Sequence, residues 1–250
     1  MDKSLKLKEI RNKLKLGQPS IGSWMQISNS SIAEIFGDSN LDWVVIDREH
    51  GNFNEESLIN IFQSLELGKC LPMVRLGNHS LLEAKISLEA GAAGLIIPKI
   101  ENKNQLENII TECLFPVIGN RGIGFSRSNL FGKYLKSKLD GKERPLIIAM
   151  IESKKGLENL KDILKTKYLD GIFIGPYDLS SSLGCLGDFK STLYLKAISK
   201  IIKTCNSVKI PCGIHIIEPS KKELKLRIRQ GYRIIAYSID SVILRNSISL

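Results

Sequence analysis

The side chains best suited to chemistry in this sequence stand where short apolar runs stop. WVVI at 43–46 is followed at once by Asp47, Arg48, Glu49 and His50, the last one of three histidines in the chain. PMV leads to Arg75, LIIAMI to Glu152, and GIFI to the turn Gly175, Pro176, Tyr177 and Asp178. Glu152 and Asp178 are hard oxygen donors. Two carboxylates leave most of an octahedral shell to water and substrate oxygens, which suits Mg2+ or Mn2+ better than a closed zinc site. Arg75 carries a permanent charge that can hold an enolate oxygen without moving a proton. The backbone of GPYDLS offers successive N–H groups to a carboxylate, and a histidine near its ordinary pKa carries protons at neutral pH. Together these groups suit a small anionic 2-oxo acid. Each also has a purely structural explanation. Asp47 and Glu49 could cap the next helix with His50 an ordinary loop residue, Glu152 could cap a helix, Asp178 could close an Asx turn, and Arg75 could pair with a barrel carboxylate.

The elements that must position these groups follow from the same runs. WVVI is too short and too β-branched for a helix and lacks polar alternation, as in a strand covered on both faces of a parallel sheet. The same reading places strands at 21–27, 43–46, 71–76, 94–98, 146–151, 171–174, 211–216 and 233–237. Helical patterns separate them. EESLINIFQSLELG spaces Leu58, Ile61, Phe62 and Leu65 at helical period behind Asn54 and stops at Gly68. Further helices fall at 30–36, after His79 and Ser80 up to Gly91, at 102–113, through Leu157, Leu160, Ile163 and Leu164, at 192–206 and at 219–230, while GPYDLSSSLGCLGDF reads as a longer loop. Strand and helix alternating through residues 1–250 without a change of composition predict one α/β domain, a single (β/α)8 TIM barrel. A doubly wound sheet would favour a Gly-rich phosphate turn after the first strand, where this chain has SNSS. The rhythm breaks once, over 115–144, a Gly-rich and basic stretch expected to be an active-site loop. In a barrel the strand C-termini share one mouth, so the residues above would meet there.

Composition sets the frame. With 43% hydrophobic and 25% charged residues there is ample material for a core, and no apolar run approaches the roughly 20 residues that span a bilayer. Residues 1–17 are Lys-rich without the apolar core of a signal peptide, so a cytoplasmic location is expected. Cys70, Cys113, Cys185, Cys205 and Cys212 are odd in number and show no metal-type spacing, which reads as reduced, mostly buried thiols. The net charge of +10 raises the question of nucleic acid. The Lys and Arg residues are scattered over helix surfaces without aromatic interleaving, so neither a nucleic-acid nor a membrane partner is expected, and the field would favour an anionic substrate.

The motifs DWVVIDREHG, PMVRL, EAGAAGLIIPKIE, GNRGIGFSR, AMIES and DGIFIGPYDLSSSLG, in this order between Gly22 and Asp240, resemble the HpcH/HpaI family of class II, metal-dependent pyruvate aldolases. That family includes 2,4-dihydroxyhept-2-ene-1,7-dioate aldolase and 2-dehydro-3-deoxyglucarate aldolase. The resemblance implies a barrel of the phosphoenolpyruvate/pyruvate-domain type. It implies an aldolase, a carbon-carbon lyase, that reversibly cleaves a 4-hydroxy-2-oxo acid to pyruvate and an aldehyde through a metal-stabilised pyruvate enolate. On it, Glu152 and Asp178 hold a divalent cation, Mg2+, Mn2+ or Co2+. Arg75 stabilises the enolate, and His50, oriented by Asp47, is the acid/base through water. Gly175, Pro176, Tyr177 and the backbone to Asp178 bind the pyruvate carboxylate, and Trp24 packs beside the pyruvate methyl. Glu49 supports the site from behind, and Arg121 belongs to the loop over it, building the aldehyde pocket with the Arg48 region and Ile217. The family also implies a homo-oligomer, a dimer, trimer or hexamer. Three features depart from its pattern: Met150 stands where a glutamine is usual, Arg48 where a small or apolar residue is usual, and the chain stops at Leu250 after a short last helix. Two other readings are an acyl-CoA ester lyase of the citramalyl-CoA type, disfavoured by the EHG histidine and PMVR arginine, and a non-catalytic basic binding module.

Overall fold

A computed structural model describes residues 3–141 and 143–248. The chain begins with helix α1 (Lys3–Lys15) and then alternates: β1 (Ser20–Met25), α2 (Ser30–Gly37), β2 (Trp43–Asp47), α3 (Glu55–Leu67), β3 (Leu71–Arg75), α4 (Leu81–Ala90), β4 (Gly94–Ile97) and α5 (Lys103–Cys113). It continues with α6 (Leu135–Leu139), β5 (Leu146–Ile151), α7 (Lys154–Glu158), α8 (Leu160–Ile163), β6 (Gly171–Ile174), α9 (Pro176–Ser182), α10 (Thr192–Ser207), β7 (Cys212–Ile216), α11 (Lys221–Arg229), β8 (Ile234–Ile239) and α12 (Asp240–Ile248). The strands close into one parallel barrel in the order β1 to β8, with β8 returning to β1. This is the TIM barrel expected from the alternation.

The strands read as continuous apolar runs because both faces are covered. One set of side chains, among them Val44, Ile46, Val74, Ile147 and Ile172, packs outward beneath the helices. The alternate set, Trp24, Val45, Met73, Ile96, Ile148, Met150, Phe173 and Ala236, fills the barrel. Helix starts are fixed by short polar side chains. Asn29, Asn54, Ser80 and Ser220 each accept a backbone N–H of the first turn, and Asn102 with Gln105 forms a reciprocal capping box. Helix α1 closes the end of the barrel where strands begin. Its Leu7, Ile10 and Leu14 join Trp43, Leu71 and Leu146 in one cluster, each worth about 1.5–3 kcal/mol of burial. Arg11 reaches Asp170 at 2.9 Å and Lys13 reaches Asp42 at 2.7 Å, which ties the helix down.

Three expectations are corrected. GPYDLSSSLGCLGDF is not all loop: Pro176 sits in the first turn of α9, where its missing N–H costs nothing. The Lys-rich helix after β5 is two short helices, α7 and α8, meeting at Asn159. The 115–144 stretch joins the end of α5 to the start of β5 and therefore lies at the end opposite the strand C-termini. It carries a single 3-10 turn at Arg127–Asn129 and the short helix α6, and Arg127 anchors it to Glu66 and to the carbonyl of Ala90. Within this chain it cannot cover the mouth. All five cysteines are free, four of them buried, and no helix among the described residues is long and apolar enough to cross a membrane.

Candidate active site

Strand β2 delivers Asp47 to the mouth fully buried, directly beside Arg75 at the end of β3 in the strand register. Arg75 Nε donates to Asp47 Oδ1 at 2.9 Å and Nη2 to Oδ2 at 2.7 Å. Its Nη1 meets Glu49 Oε2 at 2.9 Å, and Glu49 Oε1 meets Lys99 Nζ at 3.2 Å. Two of the guanidinium's five N–H donors are thus held by hydrogen bonds to Asp47 and Nη1 is drawn to Glu49 as an ion pair, which fixes the plane of the group and leaves the other donors for an oxygen in the mouth. Burial alone would raise the Asp47 carboxyl, but the hydrogen bonds and charge of Arg75, with Gln26 and the backbone N–H of His50, hold it below its ordinary value.

Asp47 touches His50 through the main chain. Its Oδ1 accepts the backbone N–H groups of Glu49 and His50 at 3.1 and 3.2 Å, folding the EHG turn back over the strand end. The His50 side chain itself is exposed. Arg48 points away from these groups and pairs with Glu83 of α4 at 3.3 Å, its Nη1 buried without a partner.

Glu152 directly follows β5 and is 4% exposed. Its Oε1 accepts the backbone N–H of Lys99 at 2.6 Å, a geometry made possible by the left-handed backbone of Lys99 (φ 50°). Burial pushes its carboxyl up to about 7, aided by the negative charges of Glu49 and Asp178 and opposed by the Lys99 N–H and Arg75. A Cβ on Gly175 would stand 2.4 Å from Glu152 Oε2, so only glycine leaves this carboxylate its place. Asp178, exposed, lies in the first turn of α9 beside Tyr177, which is 54% exposed and packs edge-on against Phe189 at 5.0 Å. Among the described residues no group of three or more His, Cys, Asp or Glu side chains is gathered to hold a metal.

Trp24, from β1, forms the wall between these groups. It is 2% exposed, with the Arg75 guanidinium 5.3 Å from its ring centroid, Phe173 at 5.6 Å and His215 stacked on it at 4.9 Å. Arg121 stands apart. It is buried against Phe115 and donates to Glu89 Oε1 at 3.0 and 2.8 Å, at the far end of α4. The structure therefore brings Trp24, Asp47, Glu49, Arg75, Glu152 and Gly175 together, with His50, Pro176, Tyr177 and Asp178 on the rim, and leaves Arg121 outside.

Three members of the site were not read from the sequence. Gln26 donates to Asp47 Oδ2 at 3.1 Å, Lys99 bridges Glu49 and Glu152, and His215 lies on Trp24. Lys99 and His215 carried a signal. Lys99 directly follows the fourth apolar run, and His215 falls at an inward position of the seventh.

The fold agrees with the comparisons. Residues 20–247 match the model of the HpcH/HpaI aldolase/citrate lyase family, and the chain belongs to that family. It is 30% identical to a hydroxypyruvate/pyruvate aldolase of Roseobacter denitrificans over 96% of this chain and 94% of the relative. It is also 30% identical to a 5-keto-4-deoxy-D-glucarate aldolase of Escherichia coli, over 92% and 90%. Among solved structures, an HpcH/HpaI family protein from Burkholderia cenocepacia superposes with a TM-score of 0.88 at 26% identity, covering 96% and 95%. The protein is accordingly an enzyme of the aldolase class, as expected.

Proposed function

We propose that the enzyme makes and breaks the bond between C3 of a pyruvate-type 2-oxo acid and the carbonyl carbon of an aldehyde, with a divalent cation held by Glu152 and Asp178. The observation that carries this is the placing of a buried carboxyl group, Glu152, in a cradle that a Cβ on Gly175 would fill, within electrostatic reach of Asp178 and Glu49. Burial and two neighbouring anions disfavour its charge, and a bound Mg2+ or Mn2+ would relieve it. The two carboxylates are hard donors that leave ligand positions for substrate oxygens, so they fit such an ion. When bound, the cation supplies Lewis-acid polarisation of the 2-oxo group.

The protein's own groups do the rest. The uncommitted N–H groups of Arg75 face the oxygen that gains charge as the carbon-carbon bond breaks, and the grip of Asp47 and Glu49 means no reorganisation is needed at that moment. Tyr177 and Asp178 at the start of α9 present backbone N–H groups to the carboxylate of the 2-oxo acid. The flat face of Trp24 lies beside C3 and excludes water there. In cleavage, His50, exposed on the turn that Asp47 holds, takes the proton of the C4 hydroxyl through water, and C3 is then reprotonated. In synthesis the same steps run backwards. A homo-oligomeric, cytoplasmic enzyme is part of the same reading.

The deciding experiment is exchange of the pyruvate methyl protons for solvent deuterium, followed by NMR with and without Mg2+. Metal-dependent exchange is expected, and it should be lost in E152Q. Equal exchange in E152Q would remove Glu152 from the site.

A further inference from the structure

We propose that Lys99 is a tethered counter-ion of the mouth carboxylates, whose ammonium loosens the hold on a divalent cation and tightens the hold on the anionic 2-oxo acid that joins it. The inference rests on the reading above in one respect, that Glu152 and Asp178 are the ligands of that cation.

Lys99 lies just beyond the end of β4 and serves two carboxyl groups with its two ends. Its backbone N–H donates to Glu152 Oε1 at 2.6 Å, and its Nζ pairs with Glu49 Oε1 at 3.2 Å. The backbone end is held without help from the side chain. The Pro98 carbonyl accepts His79 Nε2 at 2.7 Å, and the Ile100 N–H donates to the Met150 carbonyl at 3.2 Å, so the residue on each side is pinned to a neighbouring segment. Between these anchors Lys99 takes its left-handed turn, φ 50°, where any unbranched side chain meets much the same backbone cost. Removing the ammonium therefore leaves Glu152 in its seat.

The charged end looks toward the same carboxyl groups. Glu49 stands between two cations, with Lys99 Nζ on one oxygen and Arg75 Nη1 on the other at 2.9 Å. The hydrogen bond and charge of Glu49 raise the Lys99 ammonium above its ordinary value, and the charges of Glu152 and Asp178 add a smaller share. Lys99 is thus a positive charge in the field of Glu49 and of both proposed ligands. Its side chain is 64% exposed, so water and salt moderate what that charge does.

One charge in this place acts with opposite sign on two ligands. A divalent cation settling between Glu152 and Asp178 is repelled by the ammonium, twice as strongly as a monovalent one would be. The carboxylate of a 2-oxo acid arriving at the loaded site is attracted by it. A lysine that only supported the fold would shift both affinities in the same direction.

The test compares wild type, K99M, K99R and E152Q. Calorimetric titration measures Mn2+ binding to the free protein and pyruvate binding to the Mn2+-loaded protein. K99M should bind Mn2+ about three- to tenfold more tightly and pyruvate about two- to fivefold more weakly, while K99R keeps both within about twofold of wild type. In salt of about 1 M, where the screening length falls to about 3 Å, wild type and K99M should agree within about twofold. Unchanged or weaker Mn2+ binding in K99M overturns the proposal, as does pyruvate binding that fails to weaken, or a difference that persists undiminished in high salt. Should K99M not fold, K99Q makes the same comparison. Mn2+ binding in E152Q equal to wild type would remove the cation site and this inference with it, whereas loss in E152Q beside an unchanged K99M overturns this inference alone.

Discussion

Arg75 holds Asp47 through two nitrogens, Nε at 2.9 Å and Nη2 at 2.7 Å, in a pocket where Asp47 has no exposed surface. The pair joins the ends of neighbouring strands, so the direction of the guanidinium is set by the barrel itself. Lysine cannot reproduce a two-pronged grip. R75K should therefore lower kcat/KM by at least about a hundredfold while Mn2+ affinity stays within a few-fold, because the proposed cation ligands are Glu152 and Asp178. D47A should be worse for the fold, destabilising it by about 2–4 kcal/mol, because it removes the two-pronged partner of a buried guanidinium and leaves it Glu49 alone. Urea unfolding and Mn2+ titration measure both; an R75K that loses metal and activity together would refute the division of labour.

Gly175 and Glu152 make a second pair that a single methyl group should disrupt. A Cβ at Gly175 would meet Glu152 Oε2 at 2.4 Å and its Cβ at 2.9 Å, contacts that real structures do not sustain. G175A should weaken Mn2+ binding at least about tenfold, as should D178N, while H50A should bind the ion normally and fail to turn over. Calorimetric titration of each variant decides; normal affinity in G175A would show that Glu152 has slack.

Glu152, buried, and His215, half-buried, tilt stability in opposite directions with pH. Glu152, raised from 4.5 to about 7, keeps its proton in the fold, so its contribution is complete below pH 4.5 and lost as pH rises through 7. His215, lowered from 6.5 to about 4, contributes fully above pH 6.5, and this is lost as pH falls through 4. Each is worth roughly 3 kcal/mol. Between pH 4.5 and 6.5 they offset one another. In the presence of a chelator H215F should lose stability with rising pH, and E152Q should gain it. Parallel denaturation curves for the two variants would contradict this account.

Arg121 should behave as a structural residue. Its side chain is nearly buried and pairs with Glu89 at 2.8 Å. R121A should cost about 2–4 kcal/mol of stability and leave KM within about threefold once the folded fraction is allowed for. A selective rise in KM for the aldehyde would return the 115–144 segment to the site.

The barrel was legible because its strands are covered on both faces. Runs such as 146–151 and 171–174 contain no polar residue to blur their limits, and the strands they predict have those same bounds. Asn54, Ser80 and Asn102 marked helix starts for the same local reason, that their side chains reach the first-turn N–H groups. The strand-end carboxylates and Arg75 were legible from position alone. What could not be read was which groups pair. The Asp47 carboxylate engages Arg75 rather than the His50 ring, and Glu152 takes the Lys99 backbone N–H, contacts set by strand register and by one left-handed residue. The 115–144 segment misled because glycines and basic residues mark a surface loop at either end of a barrel equally well.

The helix α1 that seals the far end of the barrel also fixes the traffic through it. With Leu7, Ile10 and Leu14 packed against Trp43, Leu71 and Leu146 at that end, the proposed site is approached, among the described residues, from the mouth. On the proposed reading the 2-oxo acid sits deeper, against Trp24, and the aldehyde nearer the rim. Substrates must then queue: the 2-oxo acid enters first and leaves last, and in cleavage the aldehyde is the first product released.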